Sequence, residues 1–303
     1  EIMPSLVGSE MCIRDSTKIL TANSVVMVLT NVVLNYILIF GKFGFPVLGI
    51  AGAAIASSIS EAVSVMFFVI YTWKKVDYKK YGLFRFTRVD FRMLGQILSV
   101  SIWVMIQHGI AFGGWFIFFI AMEHLGERPL AITNVVRSIS SFLFMFVNAF
   151  ASTNSSLVSN LIGAGESDRV LPLCRRMIGL CYAFVLPIGI LIAMFPSTVL
   201  RIYTDNPDLI ASSIPSLWVM LSSYLFAVPG FIYFFSVSGT GNTRRALEID
   251  MASIFVYVLY ILYVAVWLRA DVAVCWTTEY VYNIMILSSF FYLWKGNWRN
   301  KKI

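Results

Sequence analysis

Long apolar runs alternate with short polar or basic stretches along almost the whole chain. The hydrocarbon core of a bilayer takes roughly 20 apolar residues per helix. Runs of that length or longer fall near 21–40, 49–72, 94–122, 130–160, 176–200, 209–236, 246–268 and 272–294. They predict about eight transmembrane helices, and hence an all-α polytopic membrane protein. The run 131–160 is the most polar of them, with frequent Ser, Asn and Thr. Strands of a transmembrane barrel alternate polar and apolar residues over ~10 positions. The unbroken runs Val25–Phe40 and Met177–Phe195 argue against that architecture.

Composition agrees with the pattern. Hydrophobic residues make up 59% of the 303 and charged residues 13%, against about 25% charged in soluble domains. Mean hydropathy is +0.80. The net charge of +7 invites a nucleic-acid reading, but the cations are sorted by side. Lys18, Lys74, Lys75, Lys79, Lys80, Arg85, Arg88, Arg92, Arg169, Arg175, Arg176, Arg244, Arg245, Lys295, Arg299, Lys301 and Lys302 fall on one side of the predicted spans. Only Lys42, Arg128, Arg201 and Arg269 fall on the other. The positive-inside rule puts the rich side in the cytoplasm. Eight spans then leave both chain ends cytoplasmic in a cell inner membrane. No nucleic-acid partner is expected, since a basic patch in a soluble module is missing from the pattern. Cys12, Cys174, Cys181 and Cys275, with His108 and His124, show no metal-ligand spacing. No metal and no cofactor is expected.

Residues Glu1–Ser16 do not fit the rest. They lack the basic start and apolar stretch of a signal peptide and resemble a translated sequencing adapter; the alternative is a short cytoplasmic arm. A native gene beginning further upstream is expected under either reading. The stretch 74–92 carries seven cations and two acids in nineteen residues. It reads as a basic cytoplasmic loop dividing a two-helix part, 17–73, from a six-helix part, 93–303. Thr17-Lys18 precedes a span, a short loop and a helix bearing Glu61. Thr243-Arg244 precedes a span, a short loop and a helix bearing Glu279. That order suggests a parallel repeat. Gly163-Ala164-Gly165-Glu166 lacks the strand and third glycine of a nucleotide fingerprint and reads as a helix end with a turn.

The informative residues are polar groups inside the spans. An acid at the bilayer centre costs ~2.5–3.5 kcal/mol on insertion scales, so it persists with a role or a partner. Glu279 has three readings: a coupling-ion ligand, one half of an ion pair, or a group in interfacial water. Glu61 sits mid-span among Ala and Ser. Arg137 is the natural counter-charge for a buried carboxylate, a structural ion pair. Gln107 and His108 lie mid-span in the third helix, where a histidine relays protons or rests as a satisfied interior group. Asn148 and Asn154 read as interhelical glue, with Asn154 also a coupling-ion or substrate candidate. Pro187, Pro215 and Pro229 fall within or near span interiors, where each removes a backbone donor.

Three stretches carry a family resemblance. They are Asn31-Val-Val-Leu-Asn35-Tyr-Ile-Leu-Ile-Phe-Gly41 followed by Gly49-Ile-Ala-Gly-Ala-Ala-Ile-Ala56; Ser159-Asn-Leu-Ile-Gly163-Ala-Gly165; and Ser238-Gly-Thr-Gly-Asn-Thr243. In order, spacing and topology they resemble the multidrug and toxic compound extrusion (MATE) transporters, from about Lys18 to Ile303. The resemblance implies two six-helix lobes and a cleft that opens alternately inward and outward. Residues 17–73 would be the last two helices of the N-lobe, and 93–303 a complete six-helix C-lobe. The missing N-lobe helices would be partners of the same protein. The implied activity is export of hydrophobic or cationic small molecules, organic cations above all, in exchange for Na⁺ or H⁺; the implied protein is not an enzyme. Some relatives carry a carboxylate where this chain has Gln107-His108-Gly109 and an aspartate where it has Ala227-Val228-Pro229, so their cation site does not transfer. Glu279 remains as the second lobe's mid-membrane acid. Two alternatives stay open. One is a lipid-linked oligosaccharide flippase of the same superfamily, which needs more mid-bundle cations than Arg137. The other is a non-transporting membrane scaffold or receptor.

Overall fold

A computed structural model of the chain describes residues 17–75, 91–296 and 298. The adapter-like leader 1–16, most of the basic loop and the terminal cations Arg299, Lys301 and Lys302 lie outside the described residues. Within them the chain is helical and contains no strand. Helices α1 (Thr17–Phe40), α2 (Gly49–Lys75), α3 (Phe91–Leu125), α4 (Glu127–Gly163), α5 (Val170–Met194), α7 (Pro207–Gly239) and α8 (Thr243–Ile261, continued as a π-turn over Leu262–Trp267) form the long rods. A short α6 (Pro196–Leu200) follows α5. Seven of these segments are long and apolar enough to cross a membrane.

The eighth predicted span, 272–294, is divided into α9 (Val272–Cys275), α10 (Thr278–Ile286) and α11 (Ser289–Lys295). The chain stays helical through both joints. Trp276, Thr277, Leu287 and Ser288 keep right-handed helical dihedrals with ψ between −14° and −19°, which is 3₁₀-like. Bonds tighten to i→i+3 there, as in Glu279 N–H to Trp276 O at 3.1 Å and Phe290 N–H to Leu287 O at 3.0 Å. At the first joint the Thr277 and Thr278 hydroxyls donate to the carbonyls of Val274 and Cys275. Those acceptors are thereby drawn off the i→i+4 ladder. Apolar run length, which predicted a span over 272–294, is blind to such local competition.

The chain divides into two compact units that meet in sequence at Asp90 and Phe91. The first is a hairpin. Gly41, at φ +62°, opens the turn after α1, and Leu48 N–H returns to Leu38 O at 3.0 Å. Gly52 lets α2 lie directly on α1, because a Cβ there would stand 2.7 Å from Leu38 O. Asn23 Nδ2 donates to Ser64 Oγ at 2.8 Å, and Asn31 Nδ2 to Ser57 Oγ at 3.3 Å.

The second unit is built around α7, which packs on α4, α5, α8, α10 and α11. Asn206 starts α7 as an N-cap, accepting from the amides of Asp208 and Leu209, with Pro207 at the first helical position. Its closest approach is to α4. A Cβ on Gly239 would stand 2.6 Å from Ser155 O, and the Ser159 hydroxyl donates to Gly239 O at 2.8 Å. Small residues at a contact let backbones approach closely, the main source of helix affinity in lipid. α4 ends as its glycines predict: Gly165, at φ +76°, and Glu166 donate back to Ile162 O and Leu161 O, a Schellman turn. Pro229 lies inside α7 and cannot donate to the carbonyl four residues back. The Tyr182 hydroxyl of α5 donates to that carbonyl, Leu225 O, instead.

Candidate functional site

The densest polar cluster in the second unit lies where α8 meets α3 and α10. Asp250 of α8 is only 2% exposed. The Tyr282 hydroxyl of α10 donates to Asp250 Oδ1 at 3.0 Å. The Gln107 amide and His108 ring of α3 face the same carboxylate. Among the described residues no Lys or Arg is within ion-pair distance of it; the ion pairs found there are Arg169–Glu166, Arg244–Glu248 and Arg245–Glu248. With the Tyr282 hydroxyl and the Gln107 amide beside it and no Lys or Arg partner among the described residues, this buried carboxylate has unused acceptor capacity.

From Asp250 the polar path runs through two phenols toward Glu279. The Tyr282 ring stands 5.9 Å from that of Tyr257 at a steep angle of 77°. The Tyr257 hydroxyl is buried without a hydrogen-bond partner, as is Asn283 Oδ1 on the same turn as Tyr282. Glu279, half-buried, is within electrostatic reach of Tyr224, Tyr257 and Tyr282. At 1.5 Å per residue, Asp250 lies about 10 Å from the Thr243 end of α8, and Glu279 about 24 Å from the Lys295 end of α11. Thr243 and Lys295 flank one mouth of the pair. The two acids therefore stand at different depths of one column, with tyrosines between them. Phe118 walls the column, 6.3 Å from Tyr257 and 5.5 Å from Trp276 by ring centres.

The residues singled out from sequence separate into several environments. Gln107 is buried beside Asp250, and His108 is exposed. Glu61 is exposed on α2. Asn154 is fully buried elsewhere: its Nδ2 donates to Ser236 Oγ at 2.7 Å and lies 3.5 Å from Cys174 Sγ, joining α4, α5 and α7. Its Oδ1 has no partner. The expected ion pair of Arg137 is absent among the described residues. Its guanidinium lies 3.6 Å from the Trp115 ring centre and 4.2 Å from that of Phe119. Two aromatic faces from α3 replace the carboxylate, because a planar, weakly hydrated guanidinium stacks well on rings.

Asp250, Tyr257 and Tyr282 escaped the sequence reading. Asp250 lies four residues inside the predicted span 246–268, close to Glu248 and the cations Arg244 and Arg245. One signal was present. Asp250, Ser253 and Tyr257 form an i, i+3, i+7 stripe, and Glu279, Tyr282 and Asn283 an i, i+3, i+4 stripe in the next span. Two adjacent spans each carry an acid followed by a tyrosine on one face.

Comparison with known proteins identifies the frame that holds this column. The MatE family model matches residues 104–266. A probable multidrug resistance protein NorM of Thermotoga maritima is 28% identical over 239 residues, covering 78% of this chain and 50% of that protein. A Bacillus cereus protein of the same name is 30% identical over 188 residues, covering 58% and 39%. The chain thus spans about half the length, or less, of the curated relatives it matches. Among solved structures, a MATE protein in complex with MaL6 superposes with a TM-score of 0.77 at 18% identity, over 91% of this chain and 62% of that one. A MATE transporter of Vibrio cholerae, VcmN, does so with a TM-score of 0.76 at 16% identity, over 93% and 64%.

Proposed function

We propose, from the premise that this chain belongs to the MatE family, that it serves a secondary active efflux antiporter. The cargo is hydrophobic or cationic small molecules, exchanged for Na⁺ or H⁺ by alternating access. Residues 93–303 act as the C-terminal lobe and 17–73 as the last two helices of the other. The relatives named probable multidrug resistance proteins support the cargo class. The alternation of cations along the chain supports cytoplasmic placement of the 74–92 loop and of both ends in a cell inner membrane.

The observation that carries the reading is the buried carboxylate of Asp250, which has no Lys or Arg partner among the described residues. A cation entering there meets carboxylate, amide and phenol oxygens, all suited to Na⁺. A proton meets a base flanked by hydroxyls that can pass it toward Glu279. Occupancy neutralises a charge that is costly in the bundle, and this couples ion binding to the packing of α3, α8 and α10. The flippase alternative loses its one mid-bundle cation, since Arg137 is committed to Trp115 and Phe119.

The test is drug export from cells expressing the gene, in a host lacking related exporters, with Na⁺ and pH varied independently. Asp250→Asn should lower ion-driven export about a hundredfold at unchanged membrane abundance. Export independent of both ions would support a scaffold or another class of pump, and full activity of Asp250→Asn would remove Asp250 from the mechanism. Orientation is checked separately. Tyr78→Cys should resist an impermeant thiol reagent in intact cells while Asp205→Cys reacts.

A further inference from the structure

A second feature of α8 lies on a different face from Asp250. Asn242, Arg245, Ile249 and Ala252 recur at helical spacing and form one wall of a groove of about 610 Å³. Met285 and Lys295, from α10 and α11, stand on the opposite wall. From Asn242 to Ser253 the groove runs about 16 Å along the helix axis, from the basic end of the spans into their apolar part.

The two ends of the groove differ in chemistry. At the rim, Arg245 Nη1 lies 2.5 Å from Glu248 Oε2, and Arg244 Nε 3.5 Å from Glu248 Oε1. One carboxylate thus serves two guanidinium groups. Of the side chains that line the groove, Arg245 and Lys295 face Glu248, and the rim keeps one positive charge. The Asn242 amide donates to the Tyr292 hydroxyl at 2.7 Å, which ties the start of α8 to α11 and leaves the Tyr292 O–H free to donate. Deeper in, the walls are Ile249, Ala252 and Met285, and the Ser253 hydroxyl is already spent on Ile249 O. A soluble anion would use the rim and leave the lower groove empty. A solvated charge cluster would have no apolar groove beneath it.

We propose that this groove holds an anionic phospholipid, with its phosphate at Arg245, Lys295 and Tyr292 and an acyl chain along Ile249, Ala252 and Met285. Basic recesses between helices at the headgroup level match such lipids in charge and shape. The site lies between α8 and α11, and Asp250 is not among its walls. It does not depend on the transport role of Asp250.

The experiment uses the purified 303-residue chain in nanodiscs of equal phosphatidylglycerol and phosphatidylcholine, reading co-retained lipid by native mass spectrometry. Wild type should retain phosphatidylglycerol in preference. Lys295→Gln should lower that preference by about fivefold, the effect of one cation near a headgroup, and Lys295→Arg should keep it. Lys42→Gln, at the other end of the spans, should leave it unchanged. Retention at the bulk lipid ratio would overturn the proposal, as would indifference to Lys295→Gln. Displacement of phosphatidylglycerol by inorganic phosphate alone would show a free-anion site and overturn it equally. Lys295 is exposed and outside the described ion pairs, so its substitution leaves the fold in place.

Discussion

The helix pairs 17–75 and 243–295 follow one plan in sequence: a basic start, a span, a short turn, and a second span bearing a glutamate. In the first pair, α1 and α2 pack on one another through Gly52 and through two asparagine–serine bonds. Glu61 is exposed. In the second pair, α8 and α10 are joined by α3 and α7. Asp250 is sealed among three helices, and Glu279 is half-buried at the head of a tyrosine column. A glutamate in an apolar run is therefore a weak indicator of a site. Among the described residues the two carboxylates differ in the helices packed about them: α1 and α2 alone in the first unit, and α3, α8 and α10 around Asp250.

The largest test of this contrast is functional. Asp250→Asn keeps shape and hydrogen bonding but removes the charge; ion-driven export should fall about a hundredfold, near 2.7 kcal/mol of barrier. Glu61→Gln in the same assay should leave export close to wild type. Equal losses would erase the distinction between the two pairs.

Next in size is the hairpin contact. Gly52→Ala places a methyl against the fixed carbonyl of Leu38, and the hairpin should lose about 2 kcal/mol, read as a lower unfolding midpoint in detergent. Tolerance of the methyl would mean that α1 and α2 can part without cost.

Arg137 gives a third measure. Arg137→Met keeps bulk against Trp115 and Phe119 and removes the cation; the expected cost is about 1 kcal/mol. Breaking a buried ion pair would cost about 3–5 kcal/mol, so a loss of that size would restore the carboxylate partner that sequence suggested. The smallest expected change is Asn31→Ala, at about 0.6 kcal/mol, the average for interhelical side-chain bonds in membranes. Asn31 also accepts from Asn35 at 2.8 Å, so a much larger loss would mean that the hairpin's polar seam acts as one unit.

Several features could be read from the chain alone. Run length and charge alternation do not depend on which residues later touch. They gave the helical class, seven of the spans within a few residues, and the turn after Gly163, because hydrophobic transfer and backbone sterics act locally along the sequence. The joints of the eighth span follow from local hydroxyls that a hydropathy pattern does not weigh, whereas Arg137 and Asp250 needed the assembled bundle. Local hydroxyl competition at Thr277 and Thr278 reset the helix pitch. The partner of Arg137 came from rings on α3, 18 and 22 positions away in the chain. Asp250 was not singled out in the chain; Gln107 and Tyr282, far apart in sequence, close over it. Which helices surround a polar group is decided by close packing at a few small residues, such as Gly230, where a Cβ would stand 2.8 Å from Ile286. A one-dimensional pattern carries no measure of that approach, and on it depends whether a charge meets lipid, water or another side chain.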